Sequence, residues 1–209
     1  MNSNNSDLIL ARYKEDISWI KGNYDNIFIY NKGEKNIFFE KPHRLISLNN
    51  VGRESHTFLY HIVNNYDNLN KINIFCQGGI NDHGMNENSL NKFYMDAQIY
   101  GYSLNKNFYP EWIEPFGGYK DFRIDEHGGR KVSKSKYSLS EWKSKFNISK
   151  DISPFQWYQK AVFAVSKEYI YSRSLDFYKN LLEDPELNEL DPEIGHYYER
   201  SWVKIFNII

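Results

Sequence analysis

Leu8-Ile9-Leu10-Ala11-Arg12-Tyr13 sets the fold class. Four consecutive apolar residues followed by a cation and an aromatic fit a short strand that is buried on both faces and meets solvent at its carboxyl end. Asp16-Ile17-Ser18-Trp19-Ile20 then groups Ile17, Trp19 and Ile20 on a short helix that Gly22 can close. Ile27-Phe28-Ile29-Tyr30 is a second β-branched and aromatic run. Strand, short helix and strand make a βαβ unit, for which a right-handed crossover is expected. A longer helix from Gly52 or Glu54 to about Tyr66 carries Phe58, Leu59, Ile62, Val63 and Tyr66 as one apolar stripe, and residues 71–76 follow as a third strand. The expected fold is α/β: a single domain with a mixed, mostly parallel sheet flanked by helices and a Rossmann-type nucleotide-binding half.

Working outward, residues 36–39 and 44–48 are weaker strand or edge candidates, and 77–85 form a polar loop containing glycine. A helix over 89–100 follows, with Ser89 as its N-cap. Residues 103–153 carry glycine pairs, prolines and many charges, which reads as long functional loops with one short helix at 140–146. Residues 161–165 read as a strand, and Ser166 as the cap of one helix over 167–182. Asp191-Pro192-Glu193 has the form of a helix start, with Asp at the N-cap and Pro at the first helical position. Ile194, Tyr198, Trp202, Ile205 and Phe206 fall on one side of that last helix. Residues 1–102 form the expected nucleotide-binding half and 103–209 the acceptor-side half of one domain.

The 209 residues include 26 basic and 27 acidic side chains, a formal charge of -1, so no global field draws nucleic acid or an anionic membrane. One cysteine, Cys76, excludes an intrachain disulfide and a cysteine-based zinc site, and its apolar surroundings point to a buried structural thiol. The polar N-terminus lacks a basic and apolar leader, and no apolar run approaches the roughly 20 residues that span a bilayer. A soluble, cytoplasmic protein with no transmembrane segment is expected.

In open α/β sheets, ligands bind beyond the carboxyl ends of the strands. Those ends are Arg12-Tyr13, Asn31-Lys32 and Gln77-Gly78, and the helix start at Asn50-Val51-Gly52-Arg53-Glu54 points to the same region. Tyr13 can stack on a nucleobase and Asn31 can bond its edge. Arg12, Lys32 or Arg53 can neutralise phosphate beside helix amides, and Glu54 can accept from a sugar hydroxyl. The competing reading is that strand ends are polar because they meet water. Asp82 and His83 offer two metal donors, a sugar-contacting loop, or a plain turn. Asp121–His127 is a second charged cluster, read as a solvated loop ahead of a metal or catalytic site. Glu199, on the last helix with His196 and Arg200, is either a general base among aromatics or one half of an ion pair. Phe155-Gln156-Trp157-Tyr158 suits core packing more than sugar stacking. Dinucleotide, P-loop and nucleophile-elbow signatures are absent from the sequence.

The order Ala11-Arg12-Tyr13-Lys14-Glu15-Asp16-Ile17-Ser18-Trp19, Ile29-Tyr30-Asn31-Lys32-Gly33, Asn50-Val51-Gly52-Arg53-Glu54, Asn65-Tyr66-Asp67-Asn68-Leu69 and Phe75-Cys76-Gln77-Gly78 with Asp82-His83 resembles the domain-of-unknown-function family numbered 3431. Phe163-Ala164-Val165-Ser166 and Tyr198-Glu199-Arg200-Ser201-Trp202 agree with it. That family is similar in layout to glycosyltransferases of the GT-A fold. The resemblance implies a nucleotide-sugar donor, a glycan or other hydroxyl acceptor, and donor contacts from Arg12, Tyr13, Asn50, Gly52, Arg53 and Glu54. Glu199 is the first choice of base and Asp82 the second. Gln77, Gly78, Asp82 and His83 stand where many such enzymes keep a metal-binding D-x-D. That triplet is missing here, so the implied transfer need not use a metal, with Mn2+ or Mg2+ at Asp82 and His83 as the metal-dependent alternative.

Overall fold

A computed structural model describes residues 5–33, 37, 39–107, 133, 135–148 and 157–208. The apolar runs form the centre of one six-stranded sheet. The strands are β1 (Ser6–Arg12), β2 (Asn26–Asn31), β3 (Arg44–Ser47), β4 (Ile72–Gln77), β5 (Tyr102–Asn107) and β6 (Trp157–Ser166), in the order β3-β2-β1-β4-β6-β5. β1 pairs in parallel with β2 and β4, and β2 with β3, whereas β6 runs antiparallel to both β4 and β5. The sheet is therefore mixed and mostly parallel, as its sequence pattern leads one to expect.

Alternation along each strand explains why these runs are apolar throughout. Ile9, Phe28, Tyr30, Phe75 and Phe163 face a layer made by α1 (Arg53–Asn65), α3 (Leu139–Lys145), α5 (Leu175–Leu182) and α6 (Glu193–Ile205). Leu8, Leu10, Ile27, Ile29, Ile74 and Val162 face the opposite layer, made by α2 (Glu87–Tyr100) and the segment holding Ile17 and Ile20. The first layer is aromatic. Phe58 of α1, Phe163 of β6 and Trp202 of α6 interlock, with Phe75 stacked on Phe163 at 5.0 Å and Trp202 tilted against Phe163 at 5.4 Å between ring centroids. Bulk of this kind costs about 3–5 kcal/mol when one ring is cut back to alanine.

Several local expectations are corrected. Asp16-Ile17-Ser18-Trp19-Ile20 is a turn, because the Asp16 carboxylate captures the Ser18 amide (2.9 Å) and hydroxyl (2.7 Å) in place of helical bonding. Ile17 and Ile20 are buried all the same. The helix starting at Ser166 stops after α4 (Lys167–Ile170), and Ser174 caps the separate α5 by accepting from the Phe177 amide at 3.2 Å. α2 is capped by Asn86, with Ser89 three residues inside the helix as the other half of a capping box. β5 is an edge strand whose sequence, Tyr102-Ser103-Leu104-Asn105, carries little apolar signal. Residues 108–132, which include the Asp121–His127 cluster, and Phe155-Gln156 lie outside the described residues. Among the described residues, no helix is long and apolar enough to cross a membrane.

His61 sits fully buried between Phe28 and Phe75, with Nδ1 2.9 Å from the Tyr30 hydroxyl and Nε2 without a partner. Burial alone pushes its pKa down from 6.5 to about 3. The unfolded chain thus binds a proton below 6.5 that the folded chain refuses, so stability falls as pH drops through that window. We expect this histidine to contribute up to about 1.4 kcal/mol per pH unit to the slope of denaturation free energy between pH ~6 and ~4. The Tyr30→Phe/His61→Phe variant, which leaves no orphaned hydroxyl, should lose that contribution; slopes identical to wild type in urea titrations would contradict it.

Candidate functional site

The chain leaves β1 toward β2 and β3 on one side and returns through α1 to β4 on the other. The carboxyl end of β1 therefore lies at a topological switch point, where neighbouring connections diverge and leave a crevice. The register aligns the tips, with Arg12 opposite Asn31 and Ala11 opposite Gln77. Arg12 is buried and donates from Nη1 to Asn31 Oδ1 at 2.8 Å and from Nε to the Glu15 carbonyl at 2.9 Å. Glu15 in turn accepts from the amides of Tyr13 (2.7 Å) and Lys14 (3.1 Å), which holds the turn after β1. The Trp19 indole donates to the Gly78 carbonyl at 2.9 Å and ties that turn to the end of β4. Close approach fixes a glycine next to Lys32: a Cβ on Gly33 would stand 2.2 Å from the Tyr13 carbonyl oxygen. The Tyr13 ring stays 46% exposed, the only large apolar side chain at these strand tips open to a stacking partner among the described residues.

The start of α1 joins this crevice through Lys32. Its ammonium donates to the Val51 carbonyl at 2.6 Å and to the Arg53 carbonyl. Gly52 and Arg53 both have left-handed backbone, φ 62° and 50°. Glycine meets this conformation without cost, whereas an arginine there stores strain of about 1 kcal/mol or more. Gly52 is doubly constrained, because a Cβ would come 2.5 Å from the Leu187 carbonyl oxygen. Burial lowers the Lys32 ammonium to about 7, with Glu54 acting in the opposite direction. Burial, with Lys32 nearby, also lowers His56 to about 4.

Arg53 turns toward α6. One of its nitrogens, Nη1, lies 3.2 Å from Asp191 Oδ1 and 3.1 Å from His196 Nε2, and its Nε lies 3.6 Å from Glu54 Oε2. Burial works against its charge, but Glu54, Asp191 and Glu199 outweigh that, and the guanidinium is held above its ordinary pKa. Glu199 stands 3.6 Å from His196 Nδ1. Gly195 makes room for the crossing, since a Cβ there would stand 3.1 Å from Arg53 Cδ.

The sequence-expected residues thus fall into linked groups. Arg12, Tyr13, Asn31, Gln77 and Gly78 frame the strand tips, and Lys32 connects them to Gly52, Arg53 and Glu54. Asn50 is exposed just before that helix start. Glu199 joins the same neighbourhood through His196 and Arg53. Asp82 and His83 stand on the Ile80–His83 turn after β4, with the Asp82 carboxylate lying over Gly79, where a Cβ would meet it at 2.6 Å. That turn buries Ile80 against the α2 layer, whereas Glu199 rides on α6 in the opposite layer. Among the described residues no group of three or more His, Cys, Asp or Glu side chains is gathered for a metal ion. Cys76 is fully buried and its thiol is pushed up by that burial, in keeping with a structural role.

Asp191 and His56 escaped the sequence-based site. Asp191 has the pattern of an N-cap, but Pro192 occupies the cap and the Asp191 carboxylate reaches Arg53 across 138 positions of sequence. No local signal predicts a partner that distant. His56 follows one turn into α1 and only the fold reveals its proximity to Lys32.

The Arg53–Asp191 contact is testable by a double-mutant cycle with Arg53→Met and Asp191→Asn. Partly buried charged neighbours in one network should give a coupling of about 1–3 kcal/mol in denaturant unfolding. Additive effects, within about 0.5 kcal/mol, would show that the contact does not brace the helix start.

A comparison with curated proteins finds no match. The family described as "Protein of unknown function (DUF3431)" matches residues 8–208, from within β1 to just past α6 and so across both halves of the sheet. The chain belongs to that family.

Proposed function

We propose that this protein is a glycosyltransferase of GT-A type, which moves a sugar from a nucleotide-sugar donor to an acceptor hydroxyl in the cytoplasm. The observation that carries the reading is the convergence of strand ends and one helix start. The tips of β1, β2 and β4 and the left-handed start of α1 meet at the switch point of the sheet, with Arg12, Lys32 and Arg53 within that region. A base can stack on the exposed Tyr13 ring and bond to Asn31, while Lys32 and the first amides of α1 face the diphosphate. Residues 1–102 serve the donor and 103–209 the acceptor.

The chemistry is a single displacement. Glu199 takes the proton of the acceptor hydroxyl, the freed oxygen attacks the anomeric carbon, and the bond from that carbon to the diphosphate oxygen breaks. Negative charge then grows on the departing nucleoside diphosphate, where Lys32 and Arg53 stabilise it. One base suits inversion of the anomeric centre. Asp82 is the second candidate for the base, and with His83 it supplies two of the oxygen and nitrogen donors that Mn2+ or Mg2+ would use.

A second reading has its own support. Arg12 is engaged by Asn31, and Arg53 by Asp191 and His196, so both cations have internal partners without a ligand. That arrangement suits a non-catalytic nucleotide- or glycan-binding domain on the same fold.

A thermal-shift panel of nucleotide sugars, with and without Mn2+, separates the two. At a ligand concentration about 100-fold above Kd, binding should add about 2.7 kcal/mol to stability. Stabilisation accompanied by slow donor hydrolysis, lost in Glu199→Gln while binding persists, is the expected result. Stabilisation without turnover over varied acceptors supports the binding domain, and no response to any nucleotide contradicts both readings.

A further inference from the structure

Arg53, His196 and Glu199 form a line in which the middle member is constrained by its neighbours. We infer that His196 is a positioning residue for the proposed transfer, a neutral imidazole carrying its proton on Nδ1 that aims the Arg53 guanidinium from one ring nitrogen and faces the Glu199 carboxylate with the other. What Arg53 and Glu199 accomplish rests on the glycosyltransferase reading; the state of the ring does not.

Arginine has five N–H donors and no acceptor, so the contact of 3.1 Å between Arg53 Nη1 and His196 Nε2 requires a lone pair on Nε2. Nη1 carries two hydrogens and has two acceptors at hand, Asp191 Oδ1 at 3.2 Å and His196 Nε2 at 3.1 Å, one for each. With Nε2 accepting, the ring proton belongs on Nδ1. That nitrogen is 3.6 Å from Glu199 Oε2, beyond hydrogen-bond length and within electrostatic reach. An imidazolium would set an N–H of its own against the guanidinium and place two positive charges side by side. The side chain is 2% exposed, so water cannot relieve that repulsion.

The surroundings agree with a shaped contact. On α6, Arg200 Nη1 donates to the His196 backbone carbonyl at 2.9 Å. Gly195 leaves the gap through which the Arg53 stem crosses the helix. Among the described residues, the charged groups near the ring include Arg53 and its partners Glu54 and Asp191, with Glu199 and Arg200 on α6 itself. Arg53 opposes protonation from the near side, while Glu199 favours it from the longer distance. The shorter contact decides the tautomer.

Side-chain nitrogen NMR of the ligand-free full chain reads this directly. From pH ~6.5 to ~8.5, His196 should show a bare Nε2 and a protonated Nδ1. An Nε2–H tautomer or an imidazolium in that range overturns the inference. In Arg53→Met the acceptor requirement disappears, and the ring should lose its single tautomer or begin to titrate; an unchanged spectrum also overturns it. In donor turnover, His196→Leu should lower kcat about tenfold or more with little change in donor KM, and His196→Gln should recover most of the loss by offering an amide oxygen to Arg53. A Leu variant as active as wild type removes the positioning role and leaves the transfer reading standing. Failure of every nucleotide sugar to react with wild type contradicts the transfer reading, while the NMR result still decides the state of the ring.

Discussion

The candidate site depends on one constraint: the entry into α1 is held in left-handed backbone at two successive residues, a glycine that accepts it and an arginine that does not favour it. Gly52 and Arg53 are both left-handed. They are pinned there from two sides. Lys32, at the end of β2, binds the carbonyls of Val51 and Arg53, and the chain before α6 holds the Gly52 amide through the Glu189 carbonyl at 2.8 Å. Arg53 then throws its side chain across to Asp191 and His196. The helix start is thereby fixed to the end of β2 and to α6 together, which brings residues from distant parts of the sequence side by side.

This arrangement places cations and carboxylates in alternation. Lys32 follows β2 and Arg53 opens α1, while Glu54 comes from α1, Asp191 from the chain just before α6 and Glu199 from α6 itself. None is far from a partner, so an incoming anion would exchange contacts within a network in place of neutralising bare charge. Pre-organised donors of this kind serve a charge that develops during reaction better than one already present, because little rearrangement is needed when it appears. The depressed Lys32 ammonium fits the same view: an anion at the mouth of α1 would favour its charged form.

Much of the fold was legible because the central strands are buried on both faces. β1, β2 and β4 announce themselves as unbroken apolar runs, and the ends of those runs mark the crevice. The stripe of α1 was equally plain. Elements stabilised by partners or by side chains bonding to backbone were not. Asp16 turned an amphipathic segment into a loop, Ser174 restarted a helix that periodicity ran straight through, and β5 needed β6 beside it to become a strand. For the site, strand ends and the glycine-arginine helix start were visible, but the direction taken by Arg53 was not. Its partners Asp191 and His196 are more than a hundred positions away, and Asp191 carried the competing appearance of a cap.

The proposed donor site is a single region of the molecule, and backbone NMR titration with UDP, GDP and CMP in turn tests that proposal most directly. The expected result is a contiguous set of shifted amides at Tyr13, Asn31, Lys32, Gly52, Arg53 and Gly78 for one of these nucleotides. Shifts confined to other surfaces, or none with any of the three, would contradict it.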